Sequence, residues 1–127
     1  MKNYLGFILT HGDLAEELKQ SAQKLMPLYF PIFAFSNKIL TMENILLEME
    51  KQFAQYNPER VVLFVDLLGG SCWHAAMNFK KKYPQVAVIT GVNIPSLISF
   101  NTNFERLDWA DLLQKVEEDS KKAIKVL

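Results

Sequence analysis

Apolar residues are distributed along this chain in two patterns that alternate. Short, nearly continuous runs occupy Tyr4–Leu9, Tyr29–Phe35, Arg60–Leu68 and Val86–Thr90. That is the pattern of strands buried on both faces. Pro31 places the start of the second run near a sheet edge, because proline cannot donate to a ladder. Between the runs, apolar residues recur every three or four positions, as on the inner face of a helix. Leu14, Leu18, Ser21, Ala22 and Leu25 form the first such stripe, with Asp13 and Glu16 as an acidic relative of a capping box and Pro27 as the stop. Thr41 opens a second helix whose inner face is Met42, Ile45, Leu46, Met49, Phe53 and Tyr56, closed by Asn57-Pro58. A third runs from Cys72 to Lys82, with Ser71 as its cap, and a fourth over Ile94–Phe100. Asp108 caps the last, with Trp109, Leu112, Leu113, Val116, Ala123 and Ile124 on one side. The tail Ala123–Leu127 also reads as a fifth, terminal strand.

Regular alternation of strand and helix predicts an α/β fold with right-handed crossovers. The expectation is one domain over residues 1–127. It has a predominantly parallel central sheet of four strands, an extra edge strand as the alternative for the tail, and helices on both faces. In such sheets the ligand site lies beyond the carboxyl ends of the strands, where the strand order reverses. Three predicted strand ends carry polar, turn-forming residues: Thr10-His11-Gly12-Asp13, Asp66 to Ser71, and Thr90-Gly91-Val92-Asn93. A parallel sheet brings all three to one rim.

His11 is one of two histidines and stands where the first strand meets the first helix. A neutral imidazole there is a nucleophile that titrates near neutrality, and the amides of the helix start favour an anion. The alternative is a histidine that only caps the turn or fills the rim. Asp66 follows five apolar residues, where a carboxylate needs a partner. One use is to accept a proton from one ring nitrogen of a histidine and leave the other free; the other is to bond the amides of the next turn. Gly69-Gly70-Ser71 lets backbone approach an anion, yet it matches neither a Walker loop nor a dinucleotide fingerprint. Cys72 and His74 lie in the first helical turn, where a thiol pKa is often lowered. The plainer reading is a small helix-start residue and a surface histidine. Cys72, His74, His11 and Asp66 contain ligand types for zinc, but no pair has familiar ligand spacing, and no metal is expected. Lys80-Lys81-Lys82 reads as a solvated helix end whose cations suit the dipole. Trp73, Phe79, Met42 and Met49 read as core.

Composition narrows the classes. Fourteen basic and fourteen acidic residues give a formal net charge of zero, so nothing in the whole chain attracts nucleic acid or an anionic membrane. Half of the 127 residues are hydrophobic, enough for a core without disulfides. One cysteine suits a reducing compartment. No apolar stretch approaches the ~20 residues of a membrane span, and the first apolar run is too short for a signal peptide. A cytoplasmic location is expected.

Taken together, "THGDLAEELKQSAQKL" after the first strand, "VVLFVDLLGGS" ending the third and "VITGVNIPSLI" ending the fourth resemble one family. It is the mannose/fructose-type IIA component of the bacterial phosphoenolpyruvate-dependent sugar phosphotransferase system. The similarity runs in register from Tyr4 to the tail. The resemblance implies that His11 is the phosphorylated histidine, that Asp66 orients it, and that Ser71 is the serine opening the third helix. Amides around Gly12 and around Gly70, Ser71 and Cys72 would then cradle the phosphoryl oxygens. It implies a donor, the histidine phosphocarrier protein, and a recipient, a sugar-specific IIB component or a regulatory protein. A homodimer is common in the family, and the chemistry needs no metal, nucleotide or other cofactor. The chain departs from the family pattern at Cys72, where proline is typical, and at Trp73 and His74. Those departures leave two other readings open: a thiol- or metal-dependent enzyme using Cys72 with His11 or His74, and a binding module that has lost the chemistry.

Overall fold

The four apolar runs pair into one sheet. A computed structural model describes residues 1–127. Its strands are β1 (Tyr4–Thr10), β2 (Ile32–Ser36), β3 (Arg60–Val65) and β4 (Val86–Ile89), and its helices are α1 (Leu14–Leu25), α2 (Met42–Tyr56), α3 (Ser71–Lys82), α4 (Ile94–Asn103) and α5 (Trp109–Lys122). All pairings are parallel, in the order β2-β1-β3-β4. The chain steps outward from β1 to β2, then returns to place β3 on the other side of β1. The order therefore reverses between β1 and β3, and Leu9 lies level with Val65 there. His11 and Asp66 leave adjacent strands at the same height.

Alternation along the strands divides the core in two. Leu5, Phe7 and Leu9 of β1, with Val61, Leu63 and Val65 of β3, face α2 and α3 and meet Ile45, Met49, Ala76 and Phe79. Tyr4 and Ile8, with Val62 and Phe64, face α1, α4 and α5 and meet Ala15, Leu18, Phe100, Leu112 and Val116. Both faces of the sheet are covered, which is why β1 and β3 read as continuous apolar runs.

Several local expectations are corrected. The strand expected from Tyr29 begins at Ile32, and the one expected to reach Leu68 stops at Val65. β2 is an edge strand, as Pro31 indicated. The inner stripe of α1 is Ala15, Leu18 and Ala22; Leu14 and Leu25 are exposed. The small alanines set the helix close to the sheet, so the buried line is rotated from the one marked by the larger side chains. Asp13 makes no side-chain cap bond; its carboxylate pairs with Lys38 Nζ at 3.0 Å. Gly70, not Ser71, occupies the cap position of α3. Helix α4 continues three residues past Phe100, to Asn103. The tail forms no strand: α5 ends at Lys122 and Ala123–Leu127 is exposed. Thr41 and Asp108 cap as their positions suggest, accepting from the amides of Asn44 at 3.1 Å and Asp111 at 2.9 Å. No helix is long and apolar enough to cross a membrane.

One close approach fixes β2 against β1. Gly6 donates to the Pro31 carbonyl at 2.9 Å, and a Cβ on Gly6 would stand 2.7 Å from Phe30 Cε2. The Phe30 ring is buried between Phe100 and Phe104, with centroids 4.9 and 5.4 Å away, so it cannot retreat freely. Gly6→Ala is therefore expected to destabilise the fold by about 1–3 kcal/mol through overpacking. Urea unfolding should show a lower midpoint with an unchanged slope.

Candidate functional site

Three loops at the carboxyl ends of the strands build the site. The first is the turn from β1 into α1. Gly12 takes φ +59°, a left-handed conformation that glycine adopts without a Cβ penalty. The second is Asp66–Gly70, between β3 and α3. The third follows the edge strand β2.

His11 and Asp66 are joined twice. The His11 backbone amide donates to Asp66 Oδ2 at 2.9 Å, and His11 Nδ1 lies 2.8 Å from the same oxygen. The other carboxylate oxygen, Oδ1, accepts the Leu67 amide at 3.0 Å. The Asp66 side chain is 13% exposed and that of His11 46%. Burial alone would raise the Asp66 pKa, but the backbone and ring donors of His11 outweigh it and hold the carboxyl below its usual range. An ionised carboxylate only accepts, so Nδ1 carries a proton, and in the neutral ring Nε2 is the nitrogen with the lone pair. That bare nitrogen faces the start of α3. Ser71 Oγ is 3.4 Å from Nε2, and a Cβ on Gly70 would touch His11 Cε1 at 3.4 Å. The first intrahelical bond of α3 is donated by the His74 amide to the Gly70 carbonyl at 3.0 Å. The amides of Ser71, Cys72 and Trp73 precede it and have no acceptor within the helix. The ring thus presents a nucleophilic nitrogen to a helix N-terminus, where an anion is favoured.

Gly12 does not join that cradle. Its amide donates to Asn37 Oδ1 at 3.1 Å, so the expected contribution of Gly12 to binding an anion is corrected: the donor is already used. Sequence reasoning passed over the residues that use it. The Ser36 hydroxyl donates to the Gly12 carbonyl, and the Lys38 amide donates to Ser36 Oγ at 3.2 Å. Their only signal in the chain was polar character just after the second apolar run.

Cys72 is 1% exposed and belongs to the core cluster on the α2–α3 face. Burial, and after it the charge of Asp66, push its thiol pKa up rather than down. A lowered pKa, the premise of a thiol enzyme, is thus contradicted. His74 is exposed and packs edge-on to Trp73 at 5.0 Å. Of the four residues with zinc-ligand character, three come together: one ligand atom each from His11, Asp66 and Cys72 lies within 4.8 Å of the others. These donors suit a hydrogen-bonded pair better than a metal centre. Asp66 Oδ2 already accepts two bonds from His11, and the thiol is held protonated.

This geometry can be set beside known proteins. Residues 7–117 match the EIIA-man family, described as the fructose IIA component of the phosphotransferase system. The chain belongs to that family. It is 32% identical over 110 residues to the sorbose-specific EIIA component of Klebsiella pneumoniae, covering 84% of this chain and 79% of the relative. Its fold is shared with phosphotransferase component EIIA from Streptococcus agalactiae (TM-score 0.87, 16% identity, 97% of this chain and 96% of that one). It is also shared with the mannose/sorbose-specific IIA subunit from Enterococcus faecalis (TM-score 0.82, 20% identity, 100% and 96%). The protein is therefore a IIA component of the sugar phosphotransferase system.

Asp66 also links the site to stability. Its pKa is depressed in the folded state, so its contribution is present above the unfolded value, about 3.9, and is lost as pH falls through the folded value. Asp66→Asn is expected to lower the unfolding free energy at pH 7, and the gap from wild type should close as the solution is acidified below the native Asp66 pKa. Urea titrations of both proteins across that range measure it.

Proposed function

We propose that this IIA component is a phosphocarrier. His11 accepts a phosphoryl group on Nε2 from the histidine phosphocarrier protein and passes it to a sugar-specific IIB partner. The observation that carries this is the 2.8 Å bond from His11 Nδ1 to the sheltered Asp66 carboxylate, which leaves Nε2 unprotonated beside the start of α3. In the reaction the Nε2 lone pair forms a bond to phosphorus as the donor's N–P bond breaks, and the electron pair of that bond returns to the donor imidazole. Positive charge grows on the His11 ring, and Asp66 stabilises it through Nδ1–H. The Ser71 hydroxyl and the amides of Ser71 and Cys72 serve the phosphoryl oxygens, with Gly70 allowing the close approach. Such transfer depends on positioning and charge more than on covalent assistance.

A protein donor suits the surroundings. His11 stands on an open rim and lines none of the surface grooves, which run along the free edge of β4, between β2 and α1 as far as Asp13, and around α4. Leu14 at the start of α1 and Ile39, Leu67 and Leu68 on the adjoining loops are exposed, as expected of a docking face rather than a small-molecule pocket. The relatives named for sorbose and mannose favour a hexose as the sugar served. On this reading the protein works in the cytoplasm as a homodimer.

The test is a reconstituted relay driven by phosphoenolpyruvate. Wild type should acquire one acid-labile phosphoryl group and His11→Ala none, read by intact-mass spectrometry. Onward transfer to a IIB protein should follow; phosphorylation of His11 without it would direct the signal to a regulator instead. A wild type that stays unmodified sinks the proposal. In parallel, native Cys72 should resist iodoacetamide at neutral pH and react once the protein is unfolded, the opposite of what a thiol enzyme requires.

A further inference from the structure

Three consecutive residues at the end of the edge strand, Ser36 to Lys38, converge on the turn that carries His11. Ser36 Oγ donates to the Gly12 carbonyl. Asn37 Oδ1 accepts the Gly12 amide at 3.1 Å, while the Asn37 amide reaches the Thr10 carbonyl at 3.4 Å. Lys38 Nζ pairs with Asp13 at 3.0 Å, and its amide donates to Ser36 Oγ at 3.2 Å. Both sides of the His11–Gly12–Asp13 turn are thereby held by a segment that has no chemistry of its own.

We propose that Asn37 is a positioning residue for the phosphoacceptor: by holding the Gly12 amide it fixes the backbone of the turn, so that the amide and Nδ1 of His11 both reach Asp66 Oδ2. The inference rests on the phosphocarrier reading and adds to it a residue from a strand that never touches the ring. The physical reason lies in the Gly12 conformation. A glycine at φ +59° is free to rotate to other wells unless something holds its peptide groups. The Asn37 carboxamide holds the N–H and the Ser36 hydroxyl holds the C=O. Released, the turn would let His11 rotate or shift relative to Asp66. Loss of the shared oxygen would then free Nδ1 and Nε2 to exchange the proton, and a fraction of molecules would present a protonated, non-nucleophilic Nε2. The same bond has a second effect. With its amide engaged by Asn37, Gly12 itself offers no N–H to the phosphoryl oxygens.

The experiment pairs Asn37→Ala with Asn37→Asp, which keeps an acceptor oxygen at the same place. Nitrogen-15 NMR of the imidazole reads the tautomer of His11, and the relay reads the rate of phosphorylation. In wild type, a single tautomer with Nδ1 protonated is expected. Asn37→Ala should give a mixture of tautomers and a phosphorylation rate lower by about tenfold or more, since small misplacements of a reacting group cost that much. Asn37→Asp should restore the single tautomer and most of the rate. Should Asn37→Ala fail to fold, Ser36→Ala, which removes the bond to the Gly12 carbonyl, replaces it with the same expected direction. Two results overturn the proposal: a truncated variant with the wild-type tautomer and rate, or a rate loss with the tautomer unchanged and equal in Asn37→Asp. Failure of the carrier reading is separate, because it appears as a wild type that is never phosphorylated, whatever the tautomers show.

Discussion

One carboxylate oxygen, Oδ2 of Asp66, accepts both the backbone amide and the ring proton of His11, and the arrangement of the rim follows from it. The double bond is available only because β1 and β3 are neighbours in parallel register, Leu9 level with Val65. In an order that separated them, with β2 between them for example, the two residues would end on strands about 10 Å apart, two inter-strand spacings. The reversal of winding direction at this junction therefore performs a chemical task. It brings a histidine and an aspartate, 55 residues apart in sequence, to one short contact without a loop having to reach across.

The two faces of the sheet share the work of holding that contact still. Phe7 and Leu9 anchor β1 on the α2–α3 side and Tyr4 and Ile8 anchor it on the other, so the strand that delivers His11 cannot slide without disturbing both cores. β3 is anchored in the same manner. Around this rigid pair lie the Asp66–Gly70 connection, with its exposed leucines, and the turn clasped by Ser36, Asn37 and Lys38.

Much of this was legible in the chain. The alternation of apolar runs with helical stripes pointed to the sheet, and polar residues at the ends of the first and third runs marked the site; its third loop follows β2, not β4 as the polar end Thr90–Asn93 suggested. His11 and Asp66 stood out because each interrupts an apolar run where a sheet of this kind opens to solvent. What local pattern could not supply was anything decided between segments distant in sequence. Asp13 looks like a helix cap, yet its carboxylate is drawn to Lys38, 25 residues away. Leu14 and Leu25 look like core, yet the helix turns Ala15, Leu18 and Ala22 inward instead. Gly12 looks like an open anion donor, yet an asparagine from the neighbouring strand takes its amide. Cys72 shows the same limit in the other direction. Its place in the first turn suggested reactivity, and only packing reveals a thiol enclosed among apolar side chains beside a negative charge.

The engaged amide of Gly12 bears on how firmly a phosphoryl group would sit. Helix α1 begins beside the imidazole, but the Gly12 N–H is committed to Asn37, so on the phosphocarrier reading a group on Nε2 would find one donor fewer on that side. A deeper grip would make a better store and a worse courier. With that donor withheld, a modified Nε2 would be held less tightly and surrendered more readily to the next nucleophile that approaches.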